Sequence, residues 1–155
     1  MDTALNRNTT VIDEGSSAFL VITANSGMTE VDLAALATQK ATSQKVKDFA
    51  SMLVHDHSAV NDQVKVLAAQ KNITLPATIS EDKQKQIDDM KKKSGKTFDK
   101  AFIDAMVNGH EDGISRFEKA LIDAKDPDIN SFADKTLMKL RVHLDSAKTI
   151  QASLK

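Results

Sequence analysis

The sequence predicts an all-α fold built on four long helices, and three observations predict it. Glycine and proline number five and two among 155 residues, so long stretches contain no chain breaker. Aromatic residues are limited to six phenylalanines, while Ala, Leu, Lys, Asp and Met, mostly strong helix formers, are plentiful. Apolar residues recur at alternating spacings of three and four, the period of one helix face. The length suits one domain with a proper core.

A polar leader, MDTALNRNTTVIDEG, is expected over 1–15, either as a loose segment or as the start of a mature form whose signal has been removed. The first long helix is expected over 16–42, entered through Ser16-Ser17 as a cap. It carries Phe19, Leu20, Ile22, Leu33, Ala34, Leu36 and Ala37. Gly27 in its middle costs ~1 kcal/mol relative to alanine, which implies a bend or a close contact. The second helix spans 43–71, until Pro76 in ITLPATI breaks the pattern. Ser80-Glu81-Asp82 starts a short polar helix that stops near Gly95. A third long helix follows over 97–124. Asp126-Pro127 ends it and opens the fourth, which runs to about Ser153 with proline in its first turn.

Short turns between the first and second, and the third and fourth, long helices make two antiparallel hairpins. The middle connection, with its short helix, is long enough to cross the bundle. That is the ferritin-like variant of the four-helix bundle, with residues 16–155 as one bundle domain.

Composition removes several function classes. The formal net charge is −1, so no general attraction to nucleic acid or anionic membrane is indicated, nor a DNA-protecting role of the Dps type. The one dense basic run, Lys91-Lys92-Lys93, follows Asp88-Asp89 and reads as a solvated face. The absence of cysteine excludes disulfides, zinc–thiolate sites, iron–sulfur clusters and cysteine nucleophiles. No stretch reaches the ~18 apolar residues of a membrane span. No nucleophile elbow, P-loop or dinucleotide fingerprint is present.

The histidines are informative. In the second helix the apolar row Val46, Ala50, Leu53, His57, Val60, Val64 and Leu67 places His57 in the core seam. His55 falls on the solvent face with Asp48, Ser51 and Asp62. Asp56 falls at the seam's edge beside Phe49, Met52 and Ala59. His110 occupies the row Ile103, Met106, Ile114, Phe117 and Leu121, and His143 the row Ala133, Thr136, Leu140, Ala147 and Ile150. Glu30 faces inward in the first helix, between Gly27 and Ala34. Segments FASMLVHDHSAV (49–60) and FIDAMVNGHEDGI (102–114) loosely echo one another.

Axial level brings these residues together. Glu30 lies 13 residues before Ser43 and His57 lies 14 after it. His110 lies 16 before Asp126 and His143 lies 17 after it. At ~1.5 Å per residue each pair shares one height, so side-by-side hairpins bring Glu30, His57, His110 and His143 to one layer.

Burying these groups unpaired would be expensive. They can satisfy one another as a His/Glu hydrogen-bond network, or bind a transition metal, which satisfies neutral imidazoles and a carboxylate better. Zinc or copper is expected, with iron as the lesser alternative. A dinuclear carboxylate site would need Glu three residues before histidines on two helices. Val54 and Leu140 hold those positions beside His57 and His143. Asp56 and Glu111 turn ~100° away from their neighbouring histidines and serve best as edge partners that orient an imidazole. Met106 and Met52 suit copper, but methionine in a bundle usually fills core space. Gly109 and Gly113 read as close-packing positions rather than as room for a ligand.

The blocks VKDFASMLVHDHSAVNDQVKVLA (46–68), FDKAFIDAMVNGHEDGISRFEKA (98–120), DPDINSFADKTLMKLRVHLDSA (126–147) and ANSGMTEVDLAALA (24–37) resemble the bacterial DUF4142 family. The resemblance covers about residues 17–152. Asn108-Gly109-His110 departs from it, since the family often has Asp before its histidine. The resemblance implies a ferritin-like helical bundle exported to the periplasm or envelope, with no established activity. Its matched polar positions are Glu30, Asp56, His57, His110 and His143.

The expectation is thus an envelope bundle that binds one metal ion through Glu30, His57, His110 and His143, with Asp56 as an orienting partner. Its role would be metal handling, storage or stress protection. The rivals are a structural or interaction module with a metal-free His/Glu network, and a metal-dependent oxidase or peroxidase. The sequence is compatible with a homodimer and leaves the oligomeric state open.

Overall fold

A computed structural model describes residues 13–154. Five helices make up the fold, with no strand among the described residues: α1 (Glu14–Lys40), α2 (Gln44–Gln70), α3 (Glu81–Lys91), α4 (Gly95–Asp123) and α5 (Pro127–Ser153).

The first helix starts earlier than its sequence suggested, because Asp13 is the cap. Its carboxylate accepts from the Ser16 backbone N–H at 3.0 Å and from the Ser16 hydroxyl at 2.7 Å. Ser16 is therefore the capped residue rather than the cap. Of the leader expected over 1–15, residues 13–15 form this cap and first turn, and residues 1–12 lie outside the described residues.

Helix α2 begins after a three-residue turn, and its N-cap Ser43 makes no side-chain capping bond. Asp99 from α4 takes over. It accepts from Thr42 N–H (2.9 Å), Ser43 N–H (2.7 Å) and the Thr42 hydroxyl (2.8 Å). These bonds satisfy a carboxylate that is otherwise buried. They also place the end of α1 beside the start of α4. Lys40 donates to the Lys91 carbonyl at the same end.

Helix α3 is anchored at its start by Asn25. The amide of Asn25 accepts from Ser80 N–H at 2.9 Å and donates to the Ser80 hydroxyl at 3.0 Å. With the Lys40–Lys91 tie, α3 therefore climbs along α1 from its middle to its end. It ends at Lys91, earlier than expected. Gly95 does not stop it; with φ +60° this glycine opens α4, where other residues would be strained.

At the opposite end, Asp126 accepts from Asp128 N–H and Ile129 N–H at 2.9 and 3.2 Å and caps α5, with Pro127 in the first turn. Lys71, just past α2, reaches Asp126 at 2.9 Å and Asp128 at 2.7 Å. The end of α2 thus meets the start of α5. The two sets of ties fix the directions: α1 and α5 run one way, α2 and α4 the other. Helix α1 packs on α2 and α4, and α5 packs on α4 and α2, so neighbouring long helices are antiparallel.

The core forms two apolar blocks. One holds Leu33, Val46, Leu53, Phe98, Phe102 and Met106. The other holds Leu20, Val64, Phe117, Ile129, Phe132 and Leu140. His57, His110 and His143 fall between the last residues of one block and the first of the other along α2, α4 and α5. Gly27 marks a close contact: a Cβ there would overlap the Asn61 amide oxygen of α2 and stand 3.0 Å from its Cγ.

Candidate metal centre

The layer between the blocks is polar because its helices place histidine where the apolar seam continues on either side. His57 on α2, His110 on α4 and His143 on α5 are all buried, at 4%, 1% and 2% exposure. Their ring centroids form a nearly equilateral triangle with sides of 5.3, 5.2 and 5.5 Å. One ring nitrogen from each lies within 4.8 Å of the other two, close enough to hold one metal ion.

The other nitrogens have outward partners. His110 Nδ1 donates to the Met106 carbonyl at 2.8 Å, one turn back along α4. His143 Nε2 donates to Asp56 Oδ2 at 2.7 Å. His57 Nδ1 lies 2.9 Å from Glu30 Oε2. A carbonyl or carboxylate oxygen can only accept, so each of these nitrogens carries the proton. In a neutral ring the remaining nitrogen is then a bare lone pair. His57 Nε2 and His110 Nε2 face each other at 3.3 Å in this state. His143 Nδ1 is buried without a hydrogen-bond partner.

The electrostatics support neutral rings at two positions. Burial lowers the pKa of His110, and the charge of His57 adds to this against the pull of Glu30. Burial likewise lowers that of His143, although the Asp56 hydrogen bond opposes it. For Glu30, burial pushes the pKa up, but His57, then His110 and Arg116, outweigh it and hold the carboxyl at about 2. Asp56 is also lowered: desolvation raises it, and the bonds from His143 and His55 overcome that.

The structure brings together the three histidines, Glu30 and Asp56, but sorts them differently from the four-ligand set expected from sequence. Glu30 stands behind His57, 4.0 Å from His110 Nδ1, which already donates to Met106. Asp56, read as an edge residue, crosses to α5 and holds His143. His55 is a surface residue, with its Nδ1 3.1 Å from Asp56. Glu111 pairs with Lys148 at the surface at 3.6 Å. Met106 packs in the core and offers its carbonyl to His110.

Gly109 and Gly113 are not close-packing positions. A Cβ would sit 3.5 Å from Glu30 Oε1 at Gly109 and 3.9 Å from Arg116 Nη2 at Gly113, both ordinary contacts. Both instead line a small cavity beside His57 and His110, about 20 Å³ on a scale where one water needs roughly 10–15 Å³. Thr23, Asn61 and Arg116 also line it, and sequence reasoning missed all three. A partial signal existed for Arg116: it follows Gly109 by seven and Gly113 by three, which puts it on their face of α4. Burial lowers its pKa, against the attraction of Glu30 and Asp112.

The model of the DUF4142 family, described as "Domain of unknown function", matches residues 3–150. The chain belongs to the DUF4142 family. This DUF4142 chain also shares its fold with solved structures. One is a DUF305 fragment from Deinococcus radiodurans, at 13% identity and TM-score 0.81, covering 92% of this chain and 98% of that one. Another is CopM in its Cu(II)-bound form, at 16% identity and TM-score 0.77, covering 90% and 97%. CopM in its Cu(I)-bound form matches at 16% identity and TM-score 0.75, covering 89% and 96%. No curated protein sequence matches the DUF4142 chain. No helix among its described residues is long and apolar enough to cross a membrane.

Proposed function

We propose that this protein binds one transition-metal ion in the core of a ferritin-like four-helix bundle, through His57, His110 and His143. One observation carries the reading. Three buried imidazoles each engage one nitrogen with an oxygen, while the remaining nitrogens of His57 and His110 face each other at 3.3 Å and that of His143 has no partner. Without a cation, facing lone pairs repel, and a proton can relieve only one pair at a time. A metal ion satisfies all three.

The donors fit a borderline ion. Neutral imidazole suits copper, zinc and iron, and divalent affinities favour copper over zinc. Similarity to CopM structures that hold Cu(II), Cu(I) and silver supports copper as the first choice, with zinc next and iron third. Asp56, Glu30 and the Met106 carbonyl fix the ring tautomers and orientations, as carboxylate and carbonyl partners of ligand histidines do. Glu30 is thus an orienting residue in this reading rather than a fourth ligand. The ion supplies Lewis-acid or redox chemistry when bound. The chain's own residues hold it, keep the rings deprotonated inward and enclose it between two apolar blocks.

The role is metal handling or stress protection in the bacterial envelope. The envelope assignment rests on the exported character that the family resemblance implies, and cell fractionation tests it. Untagged protein loaded with copper, zinc or iron and then desalted should retain one ion per chain by elemental analysis. His57→Ala should retain none. Wild-type protein without stoichiometric metal would leave the metal-free structural module as the reading.

A further inference from the structure

Three polar atoms outside the histidine triangle are buried without a hydrogen-bond partner: Thr23 Oγ1, Asn61 Oδ1 and Arg116 Nε. They come from α1, α2 and α4, yet all three residues line one small cavity that His57 and His110 also line. Thr23 is 4% exposed. Leaving such groups unpaired is costly, so their placement around one cavity calls for a ligand.

We propose that this cavity is a subsite for one water-sized oxygen ligand, water or hydroxide, held beside the metal by Thr23, Asn61 and Arg116. This rests on the metal reading above. The hydrogen-bonding capacities match. Arg116 Nε–H and the Thr23 hydroxyl donate, and the Asn61 carbonyl oxygen accepts the ligand's own proton. The cavity's volume of about 20 Å³ admits one such molecule. Gly27, Gly109 and Gly113 also line it, and a Cβ at these positions would face Asn61, Glu30 and Arg116 respectively. His143 is not among its lining residues, so the ligand approaches from the side of His57 and His110.

The site also connects outward. Ser26, Glu30, Gly109 and Arg116 line both this cavity and a surface cleft shared by α1, α3 and α4, which places the cavity next to a face open to solvent.

Fluoride, which matches hydroxide in size and charge and accepts from Arg116 and Thr23, is the probe of these two donors; it carries no proton for Asn61. Titrating it into Cu(II)-loaded wild-type protein should change the copper EPR spectrum with one saturable site. Arg116→Gln and Thr23→Val should each weaken fluoride binding about tenfold or more, as expected for a lost hydrogen bond to an anion. Thr23→Ser should restore wild-type affinity, and copper content should remain one per chain. An unchanged spectrum in copper-replete wild type, or equal fluoride affinity in the variants, would overturn the subsite while leaving the metal reading intact. Loss of copper from wild type would instead overturn both.

Discussion

His57 Nε2 and His110 Nε2 face each other across the bundle at 3.3 Å, and the opposite nitrogen of each ring already has an oxygen partner. The two nitrogens therefore have no proton to share while both rings are neutral. Removing either ring dismantles the triangle. His110→Ala and His143→Ala should lose stoichiometric copper or zinc on desalting, whereas His55→Ala, an 86% exposed side chain, should keep it. Elemental analysis of the three variants checks this.

Asp56 acts through His143. Asp56→Asn leaves a hydrogen-bonding group but no charge, so His143 loses its fixed tautomer. Metal affinity should fall about 10–100-fold, the usual effect of removing a ligand's orienting partner. Glu30→Gln should do the same through His57. Competition titration against a chelator of known strength measures both, and unchanged affinity in both variants would show that these carboxylates do not tune the site.

Acid should weaken the metal-free fold in two stages. His110 and His143 have pKa values below their ordinary 6.5 in the folded state. Between that value and their folded pKa the unfolded chain binds more protons, so stability drops as pH falls below about 6.5. Glu30, held at about 2 against an ordinary 4.5, adds a second loss as pH falls from 4.5 toward 2. Metal retention should decline in the first window, because ligand imidazoles must be neutral. Thermal melts of metal-free protein between pH 8 and 2 give the sign, and a melting temperature that rises on acidification would contradict it.

Asp99 is the cap that α2 lacks. Asp99→Ala leaves Thr42 N–H and Ser43 N–H without their partner, at a cost of roughly 1–3 kcal/mol. Urea unfolding should show a lower midpoint with little change in slope. Metal content should be unaffected, since Asp99 lies at the end of the bundle.

Gly27→Ala should also destabilise, by about 1–3 kcal/mol through overpacking against Asn61. Combined with Asn61→Ala the penalty should shrink, so a double-mutant cycle should return a clear coupling energy. Additive effects would mean that the helices separate freely there.

The helices and the histidine layer were legible in sequence because both follow from periodicity. The three-and-four spacing put His57, His110 and His143 on inward faces, and counting residues from the turns put them at one level. The echo between 49–60 and 102–114 has a structural counterpart: Phe49 and Phe102, each eight residues before His57 and His110, share one apolar block. Contacts that depend on rotation between helices were not legible. Periodicity gives Glu30 an inward face but not which side of His57 it occupies. It gives Asp56 an edge but not that α5 lies against that edge. Asp99 caps a helix 56 residues away, and Asn25 anchors α3 from 55 away; no local pattern marks either. Gly95 misled because a glycine with positive φ serves a helix entrance as well as an exit.

The two apolar blocks with imidazoles between them have a mechanical consequence. An all-aliphatic seam tolerates axial slippage, because one turn of leucines resembles the next. Here, sliding one hairpin past the other by a single turn of about 5.4 Å would press His110 and His143 against aliphatic side chains and strand Asp56 and Glu30. The histidine layer therefore works as an indexing notch. It sets the alignment of the two hairpins whether or not an ion is bound.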